Sequence, residues 1–383
     1  MPANAQEPPW STDETRIFRK SVRQLVEKEF APNLARWTSA GVAGREAWTK
    51  AGAAGLLLAD VPETYGGGGG TFAHEAVVVE ELARAGVHIG FNVQSIVAQY
   101  ILAYGNEDQR RRWLPRMATG ELIAAIGMTE PDAGSDLQAI KTLARRDGDR
   151  YVISGSKTFI TNGSHAGLVC LAVRTDPKVT GPKALSLIVV ETEGLAGYSA
   201  GMPLEKIGRH AQTTCELFFD EARVSAANLL GAGEGRGLFQ MMDQLRYERI
   251  SIGLSAVAAA ERAIEITTEH AKARKSFGKT LFDLQATRFA LAECATEAQI
   301  GRVFIDDCIA KLIAGSLDPV TAAKAKYWLT ETQFKIVDAC MQLYGGYGYM
   351  QEYEIARMWA DARAQRIYAG SNEVMKELIG WSL

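Results

Sequence analysis

No two of the five cysteines stand at CxxC spacing. Cys170, Cys215, Cys294, Cys308 and Cys340 are far apart and mostly flanked by apolar residues, the pattern of reduced packing cysteines in an intracellular protein rather than of disulfides or structural zinc. His74, His88, His165, His210 and His270 are equally scattered, with no pair at ligand spacing on one helix face, so no metal site is expected. No stretch reaches the ~20 consecutive apolar residues of a membrane span. The opening MPANAQEPPWSTDE has neither the apolar core of a secretory signal nor the Arg-rich, acid-poor character of a transit peptide; a soluble, cytoplasmic protein is expected. Charge of one sign is lacking too. With 42 basic against 45 acidic residues and a net charge of -3, the surface offers no polyanion-coating face, and nucleic acid is not expected as a partner.

Apolar material is abundant. The 383 residues are 47% hydrophobic, too long a chain for one ordinary core, so two or three domains are expected. A first helix is expected from Ser11, with Ser11 and Asp13 as caps and Ile17, Val22, Leu25, Val26 and Phe30 at helical spacing before Pro32 ends it. Apolar stripes of the same period cover 44 to 53, 72 to 85, 89 to 104 and 107 to 119. The period then changes. Tyr151 to Ile153, Leu168 to Arg174, Leu185 to Val190 and Thr214 to Phe219 are short β-branched or aromatic runs between turns such as Asp147-Gly148-Asp149. The glycine-rich GAGEGRG at 231 to 237 neither fits GxGxxG nor follows a βαβ pattern and reads as a hinge. Beyond it come a helix of about 37 residues, or about 55 Å, from Leu238 to Arg274, and helical patterns at 282 to 314, 319 to 344 and 353 to 368. The expected α+β architecture is a helical domain (1 to 122), an antiparallel β domain (123 to 236) and a four-helix bundle (237 to 383).

Five local sequences in that frame carry a resemblance over essentially the whole chain: GMTEPDAGSD (127 to 136), YVISGSKTFITNG (151 to 163), ARKSFGKTLFDLQ (273 to 285), MQLYGGYGYM (341 to 350) and DARAQRIYAGSNEVMKELI (361 to 379). Together, in this order, they resemble the acyl-CoA dehydrogenase family. The resemblance implies FAD as cofactor and an acyl-CoA as substrate. It places Met128, Thr129, Gly134 and Ser135 on the flavin loop, with Ser135 also touching the acyl-CoA. Phe159 would pack on the flavin and Thr161 would bond near its N5 atom. Taken singly, these segments are an ordinary turn and an ordinary strand. The resemblance further implies that Arg274, Phe277, Gln285, Gln342, Gly345 and Gly346 hold the adenine and pyrophosphate end of FAD across a subunit interface. Gly345 by itself is an ordinary helix C-cap. A homo-oligomer follows from the resemblance, usually a tetramer built as a pair of dimers.

Many members of that family carry a catalytic glutamate where this chain has Ala369. A second branch, resembling the long-chain and isovaleryl-CoA dehydrogenases, carries it on the long helix instead, and the matching segment LRYERIS points to Glu248. The helical wheel agrees, because Glu248 shares a stripe with Leu245, Ile252, Ser255 and Ala259 that should face the core. A carboxylate desolvated there would have its pKa raised toward neutrality, as a general base requires. An ion pair with Arg249 or Arg246 is the alternative reading of the same helix.

The mechanism implied by resemblance has the thioester carbonyl polarised by a flavin ribityl hydroxyl and the backbone amide of Ala369. Glu248 takes the α proton, the β hydride goes to flavin N5, and a trans-2-enoyl product remains, the electrons passing on to an electron-transferring flavoprotein. Arg249, Tyr368, Ala369 and Gly370 match the thioester pocket, and Ser371 with Glu373 the last flavin contact; Ser371 also reads as a helix N-cap. Three rivals stand beside this reading: an oxidase using O2, which the chain's lack of extra C-terminal length speaks against; a dehydrogenase of carrier-protein thioesters; and a non-catalytic scaffold.

Overall fold

The structure is a computed structural model that describes residues 7–383; the first six residues of the segment read for targeting signals lie outside the described residues. The chain opens with α1 (Asp13–Leu25), α2 (Leu34–Ala40), α3 (Arg45–Ala53), α4 (Phe72–Arg84), α5 (Phe91–Tyr104) and α6 (Glu107–Ala118). The cap of α1 is Thr12 rather than Ser11 or Asp13: its hydroxyl accepts from Thr15 N, and Thr15 returns a bond to the Thr12 backbone. Pro32 does not end the run. It occupies the first turn of a 3-10 segment, where a missing N–H costs nothing, and the chain continues into α2.

Seven strands follow: β1 (Ala124–Gly127), β2 (Leu143–Asp147), β3 (Arg150–Thr161), β4 (Leu168–Arg174), β5 (Leu185–Glu191), β6 (Tyr198–Ala200) and β7 (Thr214–Ser225), in the order β1-β4-β2-β3-β7-β6 with β5 on β4. Most neighbours are antiparallel, but β1 runs parallel to β4 over Ala124↔Leu168 to Gly127↔Leu171, and β2 meets β4 in parallel at Leu143↔Arg174. β1 and β2 were too short and too mixed in composition to stand out in the sequence. β3 is four times as long as the run Tyr151 to Ile153 suggests, because it pairs with β7 over its whole length through register shifts between Ile153 and Gly155 and between Lys157 and Ile160.

The bundle begins with α7 (Gly237–Ala273), 37 residues long. A short hairpin, β8 (Lys275–Ser276) and β9 (Lys279–Thr280), leads to α8 (Gln285–Ile313) and α9 (Pro319–Leu343). The fourth expected helix is shorter than its pattern: α10 spans only Glu354–Arg363, a 3-10 turn follows, and the chain closes with α11 (Asn372–Gly380) against α9. Left-handed backbone follows at Ala369 and Gly370, between the 3-10 turn and α11.

α7 is the shared core element, packed on α4 and α5 on one side and on α8 and α9 on the other. Gly253 permits the close approach, since a Cβ there would stand 3.0 Å from Leu329 and 3.2 Å from Ile305. Ile250, Leu254, Ile305 and Leu329 fill the seam and are at most 1% exposed; each such side chain contributes about 1.5–3 kcal/mol by burial.

Candidate active site

α7 delivers Glu248 to the junction of all three regions. The carboxylate is buried, and Tyr100 of α5 donates its hydroxyl to Glu248 Oε1 at 3.0 Å. Desolvation pushes the Glu248 pKa up to about 7, against which the Tyr100 hydrogen bond and the Arg249 charge act only in part. Cys170 of β4 is close enough that the carboxylate adds to the effect of burial in pushing the thiol up to about 12. The ion-pair alternative does not materialise among the described residues. Arg246 turns away to Asp243 and the Leu317 carbonyl, and Arg249 forms no bridge to Glu248. A carboxyl near neutrality, facing a neutral phenol in an apolar seam, is a proton acceptor in waiting.

Arg249 is itself buried with its Nε unpartnered, and its Nη2 stands 3.8 Å from where a Cβ on Gly370 would sit. It therefore faces the turn from Tyr368 to Ser371. In that turn Ala369 and Gly370 hold φ values of 54° and 87°. The Arg209 guanidinium lies 5.4 Å over the Tyr368 ring. Ser371 caps α11, accepting from Val374 N, and Glu373 stands exposed in the first turn.

The β sheet carries the other residues expected around the flavin. The loop after β1 carries half-buried Met128 and Thr129, then exposed Gly134 and Ser135, with nothing within 4 Å of a Cβ on Gly134. A buried clamp fixes this loop. Lys157 Nζ donates to Glu130 Oε1 at 2.8 Å and to the Met128 carbonyl at 3.1 Å, while Glu130 also accepts from the amides of Lys141 and Thr142. Burial pulls the Lys157 pKa down to about 8 despite the Glu130 charge. Two residues on, the register shift turns Phe159 to a φ of 57° and leaves it 67% exposed. Thr161 accepts from Gln212 Nε2 at 3.1 Å, so its own hydroxyl proton remains to donate.

Arg274, Phe277, Gln285, Gln342, Gly345 and Gly346 gather elsewhere. Phe277 forms the tip of the β8–β9 hairpin, with a φ of 52° and 96% exposure, and the Arg274 guanidinium lies 5.4 Å from the Tyr347 ring in the turn after α9. Gln285 opens α8, Gln342 is exposed near the end of α9, and open space surrounds Gly345 and Gly346. Arg274, just past the end of α7, is far along the chain from Glu248: 26 residues separate 248 from 274, about 39 Å at 1.5 Å per helical residue.

These residues fit FAD. Phe159, Phe277 and Ala369 are three of the seven non-glycine residues with positive φ among the described residues, and strain of this kind persists where surroundings impose it, often at ligand sites. An outward phenylalanine on a strained strand, a small-residue loop and a free hydroxyl suit a planar ring; Arg274 with bare glycine amides suits a pyrophosphate. Sequence reasoning missed Tyr100, Gln212, Lys157 and Lys326, whose partners lie far off in sequence. Lys326 alone left a trace, being a charge on the apolar stripe of α9 with Ala322, Leu329 and Gln333.

Three family descriptions match the chain: acyl-CoA dehydrogenase N-terminal domain over residues 12–121, middle domain over 125–222 and C-terminal domain over 235–383. The chain is 44% identical over 366 residues to the mitochondrial long-chain specific acyl-CoA dehydrogenase of Sus scrofa, covering 95% of this chain and 85% of that one. It superposes on a crystal structure of acyl-CoA dehydrogenase from Geobacillus kaustophilus with a TM-score of 0.95 at 44% identity, covering 98% of this chain and 99% of the other. A glutaryl-CoA dehydrogenase from Mycobacterium smegmatis in complex with FADH2 matches with a TM-score of 0.91 at 28% identity, covering 97% and 95%. Among the described residues no helix is long and apolar enough to cross a membrane.

Proposed function

Because the chain belongs to the acyl-CoA dehydrogenase family, we propose that Glu248 is its catalytic base and that strand β3 and the turn from Tyr368 to Ser371 hold flavin and thioester on either side of it. The protein is an FAD-dependent enzyme that dehydrogenates an acyl-CoA at its α,β bond. Its likeness extends to the long-chain branch, which agrees with a base on the long helix and an alanine at 369.

The observation that carries the assignment is the buried Glu248 carboxyl, held near neutrality and bonded only to a phenol. Glu248 receives the α proton as the C–H bond breaks. The Ala369 amide, pinned in a left-handed turn, donates to the thioester oxygen, where the negative charge develops. The chemistry that FAD supplies when bound is acceptance of the β hydrogen with its electron pair, leaving a C=C bond. Thr161, with its hydroxyl proton free, and Phe159, as an apolar face, would hold and orient the flavin ring. Met128, Thr129, Gly134 and Ser135 complete that wall, with Ser135 reaching the acyl-CoA, and Ser371 and Glu373 close the other.

About 39 Å of helix between Glu248 and Arg274 means that a flavin ring beside Glu248 cannot lay its phosphates on Arg274 of its own chain. This supports a homo-oligomer, a tetramer of paired dimers, in which Arg274, Phe277, Gln285, Gln342, Gly345 and Gly346 serve the neighbour's FAD. We place the domain boundaries at 122/123 and 236/237. Five buried, unpaired cysteines suit a reducing compartment such as the cytoplasm, and the family likeness supports an electron-transferring flavoprotein as acceptor. The test is anaerobic bleaching of the bound flavin by a panel of acyl-CoAs, for wild type and Glu248→Gln. Bleaching by one chain-length class that disappears in the variant is expected. Bleaching that survives the substitution would remove Glu248 as the base, and a flavoprotein indifferent to every CoA thioester would point to carrier-protein substrates.

A further inference from the structure

Lys326, on α9, is 0% exposed, yet no carboxylate forms an ion pair with it among the described residues. Its Nζ donates instead to two neutral oxygens, the Gly370 carbonyl at 2.7 Å and Asn372 Oδ1 at 2.9 Å. One turn further along α9, Thr330 Oγ1 accepts from Asn372 Nδ2 at 3.0 Å, and Glu331 Oε1 accepts from the same amide at 2.8 Å. Three residues of one helix face thus grip residues 370 to 372. The gripped segment begins at the second of the consecutive left-handed residues Ala369 and Gly370, a conformation that an alanine holds only when its surroundings impose it. The ammonium is an expensive way to impose it. A buried cation hydrogen-bonded to neutral acceptors alone, repelled by Arg249 and only partly compensated by the more distant Glu373 and Glu331 charges, forfeits stability that an apolar residue would retain.

From this geometry we propose that Lys326 is a positioning residue for the reaction: it locks the turn so that the Ala369 amide points at the thioester carbonyl. Resting on the function proposed above, the inference adds a residue that never touches substrate. Lys326 binds the peptide beyond Gly370, so its effect passes through the backbone, and the charges of Lys326 and Arg249 together favour negative charge in front of the turn.

The test uses the FAD-loaded enzyme and a chromophoric product analogue, para-dimethylaminocinnamoyl-CoA, whose absorption moves to longer wavelength when its carbonyl is polarised. Lys326→Met is expected to bind the analogue within a few-fold of wild type, to lose most of the red shift, and to reduce its flavin about 10- to 100-fold more slowly with acyl-CoA. A lysine that only stabilised the fold would leave the shift of correctly folded, flavin-loaded protein intact, and that result would overturn the proposal. Asn372→Ala provides a second reading should the methionine variant not fold. It leaves the bond to Gly370 but loosens the grip, so an intermediate shift is expected, and a full shift with full rate overturns the proposal equally. Wild type that neither shifts the analogue nor bleaches with acyl-CoA would overturn the functional reading itself, and this inference with it; wild type that does both, matched by unchanged variants, would sink this inference alone.

Discussion

Tyr100 donates to Glu248 Oε1 at 3.0 Å across the contact between α5 and α7, joining a helix of the first region to the long helix of the bundle. A hydrogen bond to the charged form of a carboxylate lowers its pKa. Here it opposes the larger effect of burial, and the balance lies at about 7. The groups facing Glu248 are Tyr100 from α5, Arg249 from α7 and Cys170 from β4. Below the midpoint the base already holds a proton, so flavin reduction should rise with pH through about 7. Tyr100→Phe removes a lowering influence and should move that midpoint upward. The reduction rate would then fall several-fold near neutrality and recover at alkaline pH. Stopped-flow bleaching across pH measures this, and an unmoved midpoint would show that the phenol does not tune the base.

Glu248→Gln should stabilise the protein as well as silence it. The folded-state pKa is raised from 4.5 to about 7, so the wild type has its full stability from this group below the unfolded value and loses it as pH rises through the folded one. A shift of this size corresponds to about 3 kcal/mol. Glutamine has no charge to desolvate. The stability difference in favour of the variant should therefore grow by up to ~3 kcal/mol between acid and pH 8, read by denaturant unfolding at several pH values. Equal pH dependence of the two proteins would contradict a buried, ionising Glu248.

The elements that could be read from sequence are those whose signal is local. The long helix was expected at 238 to 274 and is found at Gly237–Ala273, because one apolar period runs unbroken over ten turns. Glu248 was visible for the same reason, as a charge on the stripe of Leu245 and Ile252. Tyr100 was not, since α5 is apolar on nearly every face and one tyrosine there carries no mark. The parallel pairing of β1 with β4 and the early end of α10 are likewise decided by distant partners. Backbone strain at Phe159 and Ala369 is invisible in residue type, although the motifs around both pointed to those positions.

The clamp under the loop after β1 gives a separate test. Lys157→Met would leave Glu130 buried with only its two backbone donors, and breaking a buried pair from one side costs on the order of 3–5 kcal/mol. The Met128 carbonyl would lose its partner too. Both a lower unfolding midpoint and weaker retention of FAD are expected, because the loop of Met128 to Ser135 would be free to shift. Adding Glu130→Gln to the same protein removes the stranded charge and should restore part of the stability. If the double variant is no more stable than the single one, the pair is not electrostatically coupled as its geometry implies.

Subunit mixing decides whether Arg274 serves its own chain or the next. Arg274→Ala should empty the flavin site by removing a fixed cation from its phosphates, and Glu248→Gln should leave flavin bound but unreactive. In a mixed dimer the two defects segregate if the sites are shared. One site then combines an intact Glu248 with the intact Arg274 of the other subunit, and the second site collects both substitutions. Co-expression with two affinity tags, purification through both and anaerobic bleaching should thus recover one competent site per mixed dimer from two parents that show none. If Arg274 instead bound the flavin of its own chain, each site of the hybrid would keep one defect and no activity would return. The helix length makes the first outcome the expected one, since 26 residues, nearly all of them in α7, separate Glu248 from Arg274 at its C-cap.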